Sequence, residues 1–136
     1  GQDEQDEIDL VAARDAAGAN FGWSAFEGDA PFNDDQSAPE AVEPVLVSPL
    51  EDGNCALTGG LVVRDPRLPS LRRRYVWGDF CAGELRSFTA KPGRPASDDR
   101  SLGLEVPQLS SFGTDNAERV YAVSLEGPVL RLDPAD

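Results

Sequence analysis

The stretch from Cys55 to Cys81 reads CALTGGLVVRDPRLPSLRRRYVWGDFC, and it decides the fold predicted for the chain. Both arms are rich in β-branched and aromatic residues, which favour strands. The break between the arms contains Asp65, Pro66 and Pro69, residues that are typical of a loop. The stretch therefore predicts two antiparallel strands joined by a loop.

The positions of the two cysteines indicate a register for this hairpin. If the cysteines face each other, Thr58 faces Gly78 and Leu61 faces Tyr75, and the midpoint falls inside the proline-containing break. A disulfide at the open end would close a loop of about 26 residues and contribute roughly 3 kcal/mol on the chain-entropy model. The alternative is a pair of unbonded, buried cysteines.

Length and charge limit the classes of function. A chain of 136 residues with 40% hydrophobic residues has room for one domain with a core. The net charge of −13, from 25 acidic and 12 basic residues, argues against nucleic acid or an anionic membrane as a partner. A cation is the more natural small partner, and solubility is the other explanation of the charge.

Three residue types carry further information. The sequence has no Met, so Gly1 is expected to be a processed or truncated start. It has no His, which removes the commonest general base and the commonest transition-metal ligand. Two cysteines at hairpin spacing suggest an oxidising compartment, so a secreted or periplasmic location is expected.

The chain opens on GQDEQDEIDL, an acidic run ahead of a predicted strand EIDLVAA. Such a run is either a solvated chain end or a site for a hard cation built from carboxylate and backbone oxygens. The spacing lacks the glycine and the distal glutamate of an EF-hand loop, so that particular calcium motif is excluded.

An aromatic cluster follows, with Phe21, Trp23, Phe26 and Phe32 within a dozen positions. Its density is usual for packing between layers, and the functional alternative is the aromatic wall of a ligand pocket. The next segment, 33–44, is polar and punctuated by proline, and is interpreted as an exposed linker.

Strand patterns then recur along the chain. PVLVSPL, the two arms of the cysteine hairpin and AGELRSFTA together predict one antiparallel four-stranded sheet over roughly residues 45–90. The segment KPGRPASDDRSLGLE is interpreted as a second linker, and three short strands follow it. Antiparallel units recurring about every 45 residues, with no convincing helix, are typical of β-propeller blades, with a β-sandwich as the alternative architecture.

Several segments, taken in order, resemble a known family: GQDEQDEIDL, ANFGW, GNCALTGGLVVRD, RYVWGDFCAGEL and SSFGTDNAERVYAVSLEGPVLRL. The chain is similar to the soluble PQQ-dependent glucose/sorbosone dehydrogenases, six-bladed β-propellers, and to their noncatalytic hedgehog-interacting relatives. The resemblance implies an all-β, C-terminal fragment of about two to two and a half four-stranded blades. Its predicted parts are the outer strands of a partial blade (1–32), a linker (33–44), a complete blade (45–91), a linker (92–106) and a last, partial blade (107–136).

The family also implies cofactors and site residues. It suggests that backbone carbonyls of Gly1 and Gln2 bind the active-site Ca²⁺, and that Asp6 and Glu7 match an acidic pair near further Ca²⁺ sites. Thr58 looks like the threonine that contacts PQQ. The resemblance places the catalytic His upstream of this chain, so no catalytic residue is assigned.

The departures from the family pattern concern the positive charges that hold PQQ. A PQQ-anchoring lysine of the family falls on Cys81, and two cofactor-binding arginines fall on Pro107 and Leu109. Because PQQ carries three carboxylates, it needs cationic partners or a compensating metal ion.

Two functions therefore stay open at the level of the sequence. One is the C-terminal part of a PQQ- and Ca²⁺-dependent sugar (aldose) dehydrogenase-like propeller, not catalytic alone. The other is a noncatalytic binding or structural propeller that has lost PQQ and keeps Ca²⁺ through Asp3, Glu4, Asp6 and Glu7. The expected partners are the remaining N-terminal blades or a second copy, because isolated blades leave apolar faces and a strand edge open.

Overall fold

The computed structural model describes residues 1–135. This part of the chain is all-β and has antiparallel sheets of two to four strands, as the sequence predicts. It forms two compact units. The first contains Gly1–Asp52 and Ala90–Ala96, and the second contains Gly53–Thr89 and the described residues from Ser97 onward.

The first unit has two small sheets. Strand β1 (Gln5–Ile8) pairs antiparallel with β4 (Leu46–Pro49), and β2 (Phe26–Glu27) pairs with β3 (Ala30–Pro31). The strand predicted over 7–13 thus starts earlier and ends at Ile8. The prediction that β4 joins the sheet of the cysteine hairpin is wrong, because β4 makes its strand pairing with β1 in a separate two-stranded sheet.

The second unit contains most of a four-stranded sheet in the order β5-β6-β7-β8. Its strands are β5 (Leu57–Val62), β6 (Tyr75–Asp79), β7 (Glu84–Lys91) and β8 (Arg94–Glu105). The predicted hairpin is the β5–β6 pair. The tip of the β7–β8 hairpin, Ala90–Ala96, belongs to the first unit.

Strand β8 corrects the prediction of a linker over 92–106. Pro92 and Gly93, with φ +70° at the glycine, form a tight turn that sends the chain back alongside β7. Almost every residue of β8 is exposed, because it is the edge strand of the sheet. An exposed edge strand needs no apolar alternation, so the pattern that predicts strands is missing there.

The register of the cysteine hairpin is confirmed at one end and wrong at the other. Thr58 pairs with Gly78 as predicted, whereas Leu61 pairs with Val76 instead of Tyr75. A bulge at Gly59 and Gly60 causes this shift. A side chain at Gly60 would come within 1.6 Å of the Val76 carbonyl oxygen, so the close approach of the two backbones requires glycine.

A three-stranded sheet contains the last strands of the chain, in the order β11-β10-β9. Strand β9 is Leu109–Thr114, β10 is Val120–Ser124 and β11 is Val129–Arg131, and both pairings are antiparallel. The three short strands predicted after residue 106 are therefore present.

The core of the second unit is made of aliphatic side chains from several strands and loops. Fully enclosed members include Val63, Val76, Leu85, Leu109 and Val120. Burial of each such side chain stabilises the fold by about 1.5–3 kcal/mol. Two short 3₁₀ turns, Ala13–Asp15 and Pro69–Leu71, complete the regular structure of residues 1–135. No helix within these residues is long and apolar enough to cross a membrane.

Candidate functional site

The acidic start of the chain is organised around one buried carboxylate, Glu27. Its Oε1 atom accepts hydrogen bonds from the backbone N–H groups of Gln2, Asp3 (2.6 Å), Glu4 (3.1 Å) and Gln5 (3.4 Å). Burial alone would raise the pKa of Glu27, but these four N–H groups lower it to about 2. Glu27 is therefore ionised at neutral pH and holds residues 2–5 around it.

Two more carboxylates of β1 surround the amino group of Gly1. The Gly1 nitrogen lies 2.7 Å from Asp6 Oδ1 and 3.7 Å from Glu7 Oε2. Burial lowers the pKa of this amino group, but the hydrogen bond and charge of Asp6 and the charges of Glu7 and Glu27 outweigh it and raise the pKa. The Asp6 and Glu7 carboxylates thus both lie close to the Gly1 nitrogen.

Asp9 lies on the same stretch, two residues beyond Glu7. Its Oδ1 atom is buried and has no hydrogen-bond partner among residues 1–135. Burial, followed by the nearby charge of Glu7, raises the pKa of Asp9. A buried carboxylate oxygen without a donor is an acceptor that a bound cation would satisfy.

The predicted site residues are distributed over both units. In the first unit, the N–H of Gln2 donates to Glu27, and the Gly1 nitrogen lies against Asp6 and Glu7. Glu7 Oε2 also accepts a hydrogen bond of 3.2 Å from the N–H of Gly28, next to Glu27. Thr58 belongs to the second unit, where its hydroxyl donates a hydrogen bond of 2.9 Å to the carbonyl of Leu109.

Glu27 and Asp9 are the two acidic residues of this region that the sequence analysis missed. Glu27 lies in the aromatic stretch, distant in sequence from the acidic run, and only the approach of β2 to residues 2–5 makes it part of the cluster. The one available signal was an acidic residue directly after Phe26 in a stretch rich in aromatic residues.

The predicted disulfide between Cys55 and Cys81 is confirmed, with Cα atoms 5.6 Å apart. Beneath it lies Asp79, which is 3% exposed and accepts hydrogen bonds from the backbone N–H groups of Cys55, Ala56, Cys81 and Ala82. The two sulfur atoms and a carboxylate oxygen lie within 4.8 Å of one another. Because the sulfurs are bonded to each other, this group is not a clear metal site.

The carboxylates of β1 and of Asp9 just beyond it are oxygen donors of the type that Ca²⁺ binds. Ca²⁺ binds carboxylate and carbonyl oxygens, and Asp6, Glu7 and the unsatisfied Asp9 oxygen supply such donors within four residues of one stretch. These residue types match the donors that Ca²⁺ takes, whereas the group of three His, Cys, Asp or Glu residues found with ligand atoms within 4.8 Å of one another among residues 1–135 is Cys55, Asp79 and Cys81.

The positions expected to anchor PQQ do not fit that cofactor. Cys81 is bonded to Cys55, and Leu109 is fully buried in the core of the second unit. Pro107 has no cationic group, and the Thr58 hydroxyl already donates to the Leu109 carbonyl. None of these residues offers a positive charge to the carboxylates of PQQ.

The antiparallel sheets of two to four strands define an all-β chain that is consistent with part of a β-propeller. Among solved structures, one similar to this chain is the crystal structure of a glucose dehydrogenase, with 15% sequence identity and a TM-score of 0.59. The match covers 87% of this chain and 36% of that protein, so the chain spans about a third of its length. No protein-family model matches the sequence. The likeness shows a shared fold.

Proposed function

We propose that the chain is the C-terminal, Ca²⁺-binding part of a larger sugar (aldose) dehydrogenase-like propeller and is not catalytic by itself. The observation that carries the proposal is the acidic stretch of β1 and Asp9, where Asp6 and Glu7 approach the same nitrogen atom of Gly1 and Asp9 has a buried oxygen without a hydrogen-bond donor among residues 1–135. The fold shared with a glucose dehydrogenase supports the sugar dehydrogenase class.

Asp6, Glu7 and the backbone carbonyls of Gly1 and Gln2 would hold the Ca²⁺ in this proposal. Its charge would offset the repulsion among the carboxylates of β1. The Gly1 amino group competes for the same position, because it forms an ion pair with Asp6. Blocking that amino group by acetylation should therefore strengthen Ca²⁺ binding.

A calorimetric titration of the acetylated chain with CaCl₂ tests the Ca²⁺ site. We expect one saturable binding event, which the double variant Asp6→Asn/Glu7→Gln loses. Asp34→Asn/Asp35→Asn is the matched control, since it removes the same charge from an exposed turn of the same unit. Absence of Ca²⁺ binding to the wild-type chain, or equal loss in both variants, would refute the site.

A second candidate is a noncatalytic propeller that has lost PQQ and serves in binding or structure. It is favoured by the chemistry at Cys81, Pro107 and Leu109, which offer no positive charge. The discriminating experiment is aldose oxidation by the longer protein, assayed with added PQQ and Ca²⁺ and an artificial electron acceptor. Activity supports the dehydrogenase, whereas Ca²⁺ binding without oxidation supports the noncatalytic module.

The partners we propose are the remaining blades of the propeller or a second copy of the chain. Strand β11 and the turn before it expose Leu125 (65%), Val129 (62%) and Leu130 (40%), which leaves apolar surface to cover. Light scattering of the purified chain distinguishes self-association from a monomer. The Cys55–Cys81 disulfide supports a secreted or periplasmic location.

A further inference from the structure

A cavity of about 680 Å³ lies within the first unit, and two of its lining residues, Gly28 and Val47, adjoin Glu7. Its volume is in the range of about 300–1,000 Å³ that is usual for small-molecule sites. Phe21 and Phe26 form one wall, and Val42, Val45 and neighbouring residues form the other. Two members of the aromatic cluster noted in the sequence thus line a pocket.

Backbone hydrogen bonds hold the two walls in place. The N–H of Val42 donates to the Asn20 carbonyl at 2.7 Å, which joins the second wall to the loop that carries Phe21. The N–H of Phe26 donates to the Gly22 carbonyl at 3.0 Å, and the N–H of Gly22 donates to Asn20 Oδ1 at 3.0 Å. The pocket is therefore built before any ligand arrives, which lowers the ordering cost of binding.

The two aromatic rings keep free surface. Phe21 is 43% exposed and Phe26 is 38% exposed, although both line the cavity. The other two aromatic side chains of the cluster, Trp23 and Phe32, stack on each other with ring centroids 5.2 Å apart. Part of the Phe21 and Phe26 side chains thus stays accessible to an apolar or cationic group.

All the charged residues that line the cavity are acidic. They are Asp29, Glu40 and Glu43, and no lysine or arginine lines it among the described residues. Anions are repelled from such a site, while a cation gains both from the carboxylates and from the aromatic faces.

We propose that this cavity binds a small organic cation with an apolar body, such as a substituted ammonium compound. The apolar part packs against Phe21, Phe26 and the aliphatic wall, and the positive group faces Glu40 and Glu43 at the rim. The lining of this cavity contains none of the residues proposed to hold Ca²⁺, so this proposal rests on other side chains than the sugar dehydrogenase and Ca²⁺ proposals.

The test is a titration of the ¹⁵N-labelled chain with benzyltrimethylammonium chloride, followed by amide chemical shifts. We expect saturable shifts at Gly22, Val42 and the adjoining amides of the cavity. The double variant Glu40→Gln/Glu43→Gln should weaken binding about five- to tenfold at low salt, because it removes two attractive charges. Added salt should weaken the wild-type interaction as well, since both carboxylates are exposed.

Glu51→Gln is the control for the carboxylates. Glu51 lies in the same unit but does not line this cavity, so its variant should bind within about twofold of the wild type. Phenylacetate is the control for ligand charge and should bind at least about tenfold more weakly than the cation.

Two variants test the location without breaking β2. Phe26→Leu keeps an apolar side chain and removes the aromatic face, and Ala41→Leu places extra volume in the cavity that Ala41 lines. Both should weaken the cation. The proposal would be overturned if phenylacetate bound as tightly as the cation, or if the shifts were confined to residues outside the cavity. An unchanged affinity in Glu40→Gln/Glu43→Gln, or no saturable binding at all, would overturn it as well.

Discussion

Asp79→Asn should be among the most damaging single substitutions in the second unit. The side chain of Asp79 lies at the end of β6 and is 3% exposed. Its Oδ2 atom accepts from the N–H groups of Cys55 (3.0 Å) and Ala56 (2.8 Å), and Oδ1 accepts from those of Cys81 (2.7 Å) and Ala82 (2.9 Å). One carboxylate thus joins the segment before β5 to the turn after β6.

The magnitude follows from what an asparagine side chain can replace at this position. The amide would keep one acceptor oxygen and place an NH₂ donor against two backbone N–H donors. A hydrogen bond to a charged group contributes about 1.5–3 kcal/mol, and an unsatisfied buried donor costs about 1–3 kcal/mol. Two lost bonds that share one carboxylate are not additive, so we expect about 3–5 kcal/mol less free energy of unfolding.

Urea unfolding of the oxidised chain, followed by Trp fluorescence and circular dichroism, measures this loss. The exposed Glu126→Gln is the control and should change stability by less than about 0.5 kcal/mol. Removal of the disulfide by Cys55→Ser/Cys81→Ser should cost about 3 kcal/mol, because the bridge joins residues 26 positions apart. A loss below about 1 kcal/mol for Asp79→Asn, with the disulfide intact, would show that the four hydrogen bonds do not stabilise the hairpin end.

Further predictions concern Glu27 and the glycine bulge. Because the pKa of Glu27 is lowered to about 2, its ionised form should stabilise the chain above about pH 4.3, the ordinary value, and this contribution should be lost as the pH falls toward 2. Glu27→Gln should therefore have a lower free energy of unfolding in urea than the wild type near neutral pH, and this difference should become smaller as the pH falls toward 2. A difference that stays constant with pH would contradict the role of the Glu27 carboxylate. Gly60→Ala should destabilise by about 1–3 kcal/mol or more through contact with the Val76 carbonyl, whereas Gly113→Ala, with open space around it, should be nearly neutral. Equal thermal midpoints for the two alanine variants would contradict the role of the bulge.

The parts of the fold that could be predicted from sequence share one property: their signal lies in neighbouring residues. The two arms of the cysteine hairpin are rich in β-branched and aromatic residues, their cysteines mark the open end, and both the disulfide and the Thr58–Gly78 pair are present. The short strands after residue 106 carry the same apolar pattern and turn residues.

The misplaced elements lack such a local signal. Strand β8 is an exposed edge, so its sequence resembles a linker, and the partner of β4 depends on which edge is free once the chain has folded. The register shift at Gly59 and Gly60 arises from backbone packing against Val76. No local pattern encodes any of these three features.

Residue types and spacing were enough to predict the all-β class, the disulfide and the acidic character of β1, and the structure confirms the first two. Only the tertiary structure brings Glu27 next to residues 2–5 and leaves Asp9 with a buried oxygen that has no hydrogen-bond partner among residues 1–135. The tertiary structure also places Phe21 and Phe26 in the lining of a cavity. Those arrangements join segments that are far apart in sequence. They depend on which backbone groups and surfaces remain unsatisfied after the strands have paired, and that is settled when the whole unit folds.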